Sequence, residues 1–472
     1  MIRQLIKRIK PGGGLYRLKL CGGCALFFLA ARLMNVNLII PLFLLSLYWY
    51  FRCRRLSIKN ARPLNLLFLL VIIFSGSYFI CSSRLPALCI PFTLVPMLTT
   101  LLFNSLEISL LVTLAAAVTS SAVANTFVPP MLLFLISGIS SSILVYGCRR
   151  RSTVIRAGLI SGIIQVAALI FLDRFWLGSP QRYLILVLNG VVSSVVVMGI
   201  LPVFEYLFKT VTNISLLELA DFNHPLLQRL MQEAPGTYHH SLVVGNLSDS
   251  AAQAIGTNAL LARIGAYYHD IGKLTKPGYF SENQDLAASK HDALPATMSK
   301  MIIMNHVKEG LELAKKYRLN PALADFIAEH HGNSLVYYFY RRALENLEDD
   351  QEVKEEGFRY PGPRPQNKET AIVLLADSVE AACRALKEPT PQRIGELARK
   401  VVNNKFIDGQ LDECDLTLKD LEKISAVFTR VLSGIYRSRI SYPEQESRAE
   451  HNHKKPSKEN SHLSDKDKKP NP

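Results

Sequence analysis

Between residues 36 and 208 the chain is almost continuously apolar, and this restricts its fold more than any other feature. Seven apolar runs stand out, at 36–51, 64–81, 85–103, 107–128, 131–147, 157–172 and 183–203. A helix crosses the hydrocarbon core of a bilayer with about 20 apolar residues, whereas buried strands are only about 4–8 residues long. Most of the runs are near the longer length and carry no charge inside them. A membrane domain of seven helices is therefore expected over residues 36–208, in a chain of 472 residues that is 49% hydrophobic.

Lysine and arginine in the short loops set the orientation, because basic loops stay on the cytoplasmic side. RCRRLSIKNAR, after the first run, holds five basic residues, and CRRRSTVIR, after the fifth, holds four. The alternate loops SSR, FVPP and DRFWLGSPQR are poor in them. Both basic loops are expected in the cytoplasm, together with everything after Phe208, in a multi-pass protein of the cell's plasma (inner) membrane. Residues 1–35 form a basic N-terminal segment, with six basic residues and no acid among the first twenty. That segment also favours the inside, so the stretch CGGCALFFLAA at 21–31 is a candidate short extra span, leaving seven or eight spans. No small-residue cleavage site follows it cleanly, which argues against a removed signal peptide. Much of the net charge of +15 lies in membrane-flanking loops, where it sets topology and implies no nucleic-acid partner. The eight cysteines are uninformative; even the Cys21–Cys24 pair has no second pair to complete a metal site.

From Leu216 onward the apolar spacing becomes helical, with no sustained period-two alternation. An all-α domain of roughly eight helices is expected over 209–442, followed by a polar tail from 443 to 472 that has nothing to bury and is expected to be disordered. The histidines and aspartates of this domain adjoin apolar segments. His240 opens a helix in GTYHHSLVV, His269 and Asp270 close another in YYHDIGK, and His306 lies in MIIMNHVKEG. His330 and His331 end ADFIAEHHG, and Asp377 sits within LLADSVEAA. One buried histidine is ordinarily a satisfied structural residue. Five, with two aspartates, form a donor set suited to Mn, Fe and related divalent ions.

His240, His269–Asp270 and Asp377 resemble the H…HD…D pattern of the HD-domain metal-dependent phosphohydrolases. The resemblance tightens over LLELADFNHPLLQRLMQEAPGTYHHS, YYHDIGKLTKP, FSENQ, RYPGPRPQNKE and LLADSVEAA. In that order, behind a membrane block, these motifs look like the seven-transmembrane HD hydrolases, the PgpH-type cyclic-di-AMP phosphodiesterases, over about residues 36–440. One departure is clear. Such proteins typically carry a large extracytoplasmic domain between a first helix and the seven-helix block, where this chain has at most a few residues near Asn35. No sensing role is therefore carried over from that domain.

The resemblance implies two divalent metals, Mn or Fe. His240, His269, Asp270 and Asp377 would hold one; Asp270, His306, His330 and His331 would hold the other, with Asp270 bridging. Neighbouring positions on a helix point about 100° apart, which would let His269 and Asp270 reach adjacent metals. Asp270 and Lys273 are the implied catalytic pair, Lys273 offsetting charge on a phosphate oxygen; a solvated surface lysine is the alternative. Arg359, Arg364 and Lys368, in the loop RYPGPRPQNKE, are candidates to touch a phosphate or an adenine, and a plain connecting loop is the alternative. The implied reaction hydrolyses cyclic-di-AMP to pApA, so the expected partners are a cyclic dinucleotide and the bilayer; a homo-oligomer is compatible with the sequence. Two other functions stay open: an HD pyrophosphohydrolase acting on ppGpp-like substrates, and a receptor that binds nucleotide without cleaving it. The cyclic-di-GMP enzymes of the HD-GYP type are disfavoured, because GNSLVYY follows His330–His331.

Overall fold

The structure, a computed structural model, describes residues 63–124, 128–173, 179–284, 290–345 and 353–436. The run at 36–51, the basic segment 1–35 and the tail from 443 lie outside the described residues. Those described are helical throughout apart from turns and one isolated bridge between Leu335 and Arg359.

In the membrane half the helices are α1 (Pro63–Ser82), α2 (Leu94–Phe103), α3 (Leu106–Val123), α4 (Val128–Val145), α5 (Arg151–Leu172) and α6 (Pro180–Phe208). Four of them, α1, α3, α5 and α6, contain apolar stretches long enough to cross a bilayer. The run at 85–103, expected to be one span, is not a continuous helix. It divides into a 3-10 turn, Ala87–Cys89, and the ten-residue α2. Proline is the cause. Pro91 cannot donate to a preceding turn and drives Ile90 to an extended ψ of 122°. At 1.5 Å per residue, α2 covers only about half the hydrocarbon core.

Helices α5 and α6 pack through small residues. A Cβ on Gly190 would sit 2.2 Å from the Gly158 carbonyl oxygen, so the two backbones meet only because both positions are glycine. Buried hydroxyls satisfy one another inside the bundle, as where Thr100 donates to Ser109, which also bonds Ser142, each at 2.7 Å. Helix α6 carries Glu205 to the junction with the soluble half. There the Glu205 carboxylate accepts from Thr212 N and Ser215 Oγ, both at 2.8 Å.

The soluble half comprises α7 (Asn213–Leu219), α8 (Pro225–Glu233), α9 (Pro235–Ile255), α10 (Ala259–Tyr268), α11 (Ala296–Lys316), α12 (Pro321–Glu329), α13 (Tyr337–Glu345), α14 (Lys368–Arg384), α15 (Pro391–Ile407) and α16 (Leu418–Ile435). Starts are specified locally: Asn258, Asn320 and Asn367 accept from backbone amides at the heads of α10, α12 and α14, and Thr417 with Asp420 forms a capping box on α16. Two apolar cores hold these helices. In one, α14 is buried nearly all round, through Ala371, Ile372, Val373, Leu374, Leu375 and Ala376, against α9, α15 and α16. The other joins Leu216 of α7 and Leu226, Leu227 and Leu230 of α8 to Ile264, Tyr268 and Ile271. A central helix enclosed in this way can carry a polar side chain into the interior at a fixed depth. Asp377 is that side chain.

Candidate metal centre

Five elements deliver side chains to one point between the two cores. His240 comes from the second turn of α9, His306 from α11, and Asp377 from the middle of α14. His330 caps α12 and His331 follows it. The doublet does not sit on a helix as expected. Helix α10 ends at Tyr268, His269 is its C-cap, and Asp270, with φ −109° and ψ 16°, opens the 3-10 turn Ile271–Thr275. The cause is crowding by α11: a Cβ on Gly272 would lie 1.8 Å from the His306 carbonyl oxygen. The glycine lets the turn pass beneath α11 and brings His306 onto Asp270.

All these groups except His331 are buried; His269 and His330 are fully enclosed and Asp270 is 1% exposed. Hydrogen bonding to carbonyl oxygens fixes their tautomers, because a carbonyl can only accept. His269 donates from Nδ1 to Ala266 O at 2.6 Å, His330 from Nδ1 to Ile327 O at 3.0 Å, and His306 from Nδ1 to Ile303 O. In the neutral rings each Nε2 then carries a lone pair, and the three converge. His306 Nε2 and His330 Nε2 are 3.2 Å apart and lie 3.3 and 3.5 Å from Asp270 Oδ1. Two lone pairs facing each other beside a carboxylate repel unless a proton or a metal cation sits among them. His269 Nε2 and Asp270 Oδ1 are also buried without a hydrogen-bond partner, at a cost of about 1–3 kcal/mol each if left so.

The donor atoms fall into two groups, each within 4.8 Å across: Asp270, His306, His330 and His331, and His240, His269, Asp270 and Asp377. Asp270 belongs to both. Buried imidazoles with aligned lone pairs, orphaned ligand atoms and a shared carboxylate fit divalent metal ions. The electrostatics agree. Burial pulls His306 down to about 4 and, helped by the neighbouring His330, holds His331 well below its ordinary value, so both keep free lone pairs. Burial raises Asp377 and Asp270, but the histidines around both, and Lys273 beside Asp270, outweigh it and keep both carboxyls ionised.

Several participants lie outside the expected set. Glu380, one turn beyond Asp377, accepts from His240 Nδ1 at 2.6 Å and is held by Arg384 Nη2 at 2.7 Å. Burial lowers His240, yet the bonds to Asp377 and Glu380 prevail and raise it to about 9, so a metal ion held there would have to displace its Nε2 proton. Glu380 therefore orients the His240 ring with Nε2 inward, 3.1 Å from Asp377 Oδ1. Glu282, of the FSENQ stretch, lies 2.6 Å from Lys273 Nζ, and Asp270 Oδ2 lies 2.8 Å from it on the other side. Two carboxylates thus already take up the Lys273 charge. Tyr360 stacks on His331, with ring centroids 4.3 Å apart.

Three candidates are each engaged by a carboxylate. Arg359 is bound by Asp408 at 2.8 Å and Glu355 at 2.7 Å, Arg364 by Asp412 at 3.3 Å, and Lys368 by Asp420 at 3.3 Å. These pairs tie the loop to α15 and α16 and leave Tyr360 as its contribution beside the ligands.

A family model described as a 7TM receptor with intracellular HD hydrolase matches residues 31–212, and an HD-domain model matches residues 237–382. The Bacillus subtilis (strain 168) protein named cyclic-di-AMP phosphodiesterase PgpH is 39% identical over 426 residues, covering 86% of this chain and 59% of the relative. Over both halves, and in the same order, this chain is similar to the seven-transmembrane HD hydrolases. A relative of the same name from Listeria monocytogenes is 38% identical, with 76% of this chain and 50% of that one covered. The chain thus spans between half and three-fifths of the length of these HD-hydrolase relatives. A crystal structure titled as the L. monocytogenes PgpH HD domain in complex with cyclic-di-AMP is 44% identical, covers 46% of this chain and all of its own, and has a TM-score of 0.44.

Proposed function

We propose that this membrane protein is a metal-dependent phosphodiesterase that hydrolyses cyclic-di-AMP to linear pApA, with its HD domain in the cytoplasm. The observation that carries the reading is the sharing of Asp270 between two groups of buried donors in a chain 38–39% identical to two proteins named for that activity. His240, His269, Asp270 and Asp377 would hold one ion and Asp270, His306, His330 and His331 the other, and the mixture of imidazole and carboxylate would favour Mn or Fe. When bound, two such ions supply a water-derived nucleophile at neutral pH and charge stabilisation for phosphoester cleavage.

The chain's own residues prepare this chemistry. Ala266, Ile303 and Ile327 fix three imidazole tautomers through their carbonyl groups, and Glu380 with Arg384 fixes a fourth ring. Lys273, itself held by Glu282, keeps Asp270 ionised, so it acts on the reaction through that carboxylate. The Tyr360 ring covers one face of His331 and limits solvent there. The cytoplasmic orientation rests on the basic loops. It is supported by Arg151, from the second of them, whose guanidinium grips Glu218 of α7 at 2.7 Å and so sets that loop beside the soluble half.

The test is hydrolysis by the full-length protein in detergent, with Mn²⁺, of cyclic-di-AMP, cyclic-di-GMP and ppGpp. Cleavage of cyclic-di-AMP that stops on chelation is expected. A metal-loaded protein that cleaves only ppGpp, or binds nucleotide and cleaves none, contradicts the proposal.

A further inference from the structure

Lys405 lies on the last turns of α15, outside the metal ligands and absent from the chemistry above. Its ammonium donates to Ser334 Oγ at 2.7 Å. Ser334 is buried three residues beyond His331, and its carbonyl accepts from the amide of Tyr360, the ring stacked on His331. Lys405 therefore stands at the rim of the site, on the side lined by His331 and Tyr360. Burial lowers its pKa, and the negative charge of Asp377, a proposed metal ligand, opposes that shift.

The charge balance of this rim sets Lys405 apart. Arg359, Arg364 and Lys368 each give their charge to a carboxylate. Asp408, the acid near Lys405 along α15, is taken by Arg359 through both oxygens and also accepts from Gln410. Among the described residues no carboxylate lies within ion-pair distance of the Lys405 ammonium; a neutral hydroxyl holds it. An ammonium has three donors and Ser334 uses one. A half-buried cation with two open donors beside a site for phosphodiester chemistry matches an anion delivered by the substrate.

We propose that Lys405 binds the second phosphodiester of a cyclic dinucleotide, the one not being cleaved. This rests on the proposed function. A cyclic dinucleotide carries two phosphodiesters across one macrocycle. While the metals take one, the other projects toward the rim as a fixed monoanion, and Lys405 with Ser334 offers it a charge-assisted contact. Lys405 is thus a specificity residue: it favours substrates with a second phosphate over simple phosphodiesters.

The experiment compares full-length wild type, Lys405→Met and Lys405→Arg on cyclic-di-AMP and on bis(4-nitrophenyl) phosphate, which has one phosphodiester. Melting temperature and metal content are matched first, and Lys405→Gln replaces Lys405→Met if the latter does not match. The neutral variant should lose about tenfold to a hundredfold in kcat/KM on cyclic-di-AMP, mostly through KM, in the range of a hydrogen bond to a charged group. It should stay within about twofold of wild type on the single phosphodiester, and Lys405→Arg should recover most of the loss. Equal losses on both substrates, or none on cyclic-di-AMP, overturn the assignment. A wild type that cleaves the single phosphodiester but no cyclic dinucleotide refutes the proposed function itself, and this inference with it.

Discussion

Glu380→Gln isolates the part played by a carboxylate that touches no proposed metal ion. In the native protein Glu380 accepts a hydrogen bond from His240 Nδ1 at 2.6 Å, while Arg384 Nη2 holds both of its oxygens at 2.7 Å and lies 3.0 Å from the same Nδ1. The glutamine is nearly isosteric but neutral, and one of its two heads is now a donor. If the amide oxygen faces His240, the amide NH₂ meets the Arg384 guanidinium; if it turns over, His240 loses its acceptor. Either arrangement makes Nε2 less basic and its aim less certain. Removing such a supporting carboxylate weakens metal binding about 10- to 100-fold, or about 1.4 to 2.8 kcal/mol. The loss should fall on the ion held by His240, His269, Asp270 and Asp377. Binding through His306, His330 and His331 should stay within about threefold, since no bond of theirs reaches Glu380. Metal titration of chelator-stripped full-length protein, by calorimetry or competition with a chromogenic chelator, reads the two affinities separately. Unchanged affinities, or equal losses at both, would refute the reasoning.

Three further outcomes are expected. The double variant His269→Ala, Asp270→Ala should abolish hydrolysis while the protein remains in the membrane fraction, as activity assays and fractionation would reveal. Gly272→Ala forces a Cβ against the His306 carbonyl at 1.8 Å, so an overpacking cost of about 1–3 kcal/mol is expected, with a lower melting temperature and reduced metal content. For topology, a reporter cysteine at position 150 should be protected from an impermeant reagent in intact cells and one at position 176 should react; the opposite pattern would invert the orientation.

The gathering of these histidines and aspartates was legible in the sequence, because so many of them were placed at helix ends and on apolar faces that ought to meet in one core. Neighbours that act through contacts distant in sequence were not legible. Glu380 looks like any exposed acid on a helix; only its spacing of one turn from Asp377 is a signal. Lys405 and Tyr360 reach the site from segments whose approach depends on how α14 and α15 pack. The partners of the loop arginines were hidden for the same reason, since Asp408 and Asp412 lie more than forty residues away. In the membrane half the apolar runs located the helices, but hydropathy alone could not divide the run at 85–103; Pro86 and Pro91 were the local evidence for its break. The geometry of the HD doublet, set in a turn, follows from Gly272 meeting α11, which pattern alone does not reveal.

The central claim is that two ions, joined through Asp270, make this chain a phosphodiesterase. Its most direct test is the metal content of active full-length protein, measured by elemental analysis while Mn²⁺ is titrated into stripped protein and cyclic-di-AMP turnover is followed. Two ions per chain are predicted, with turnover rising as the second one binds. Full turnover at one ion per chain, or with none, would contradict the account.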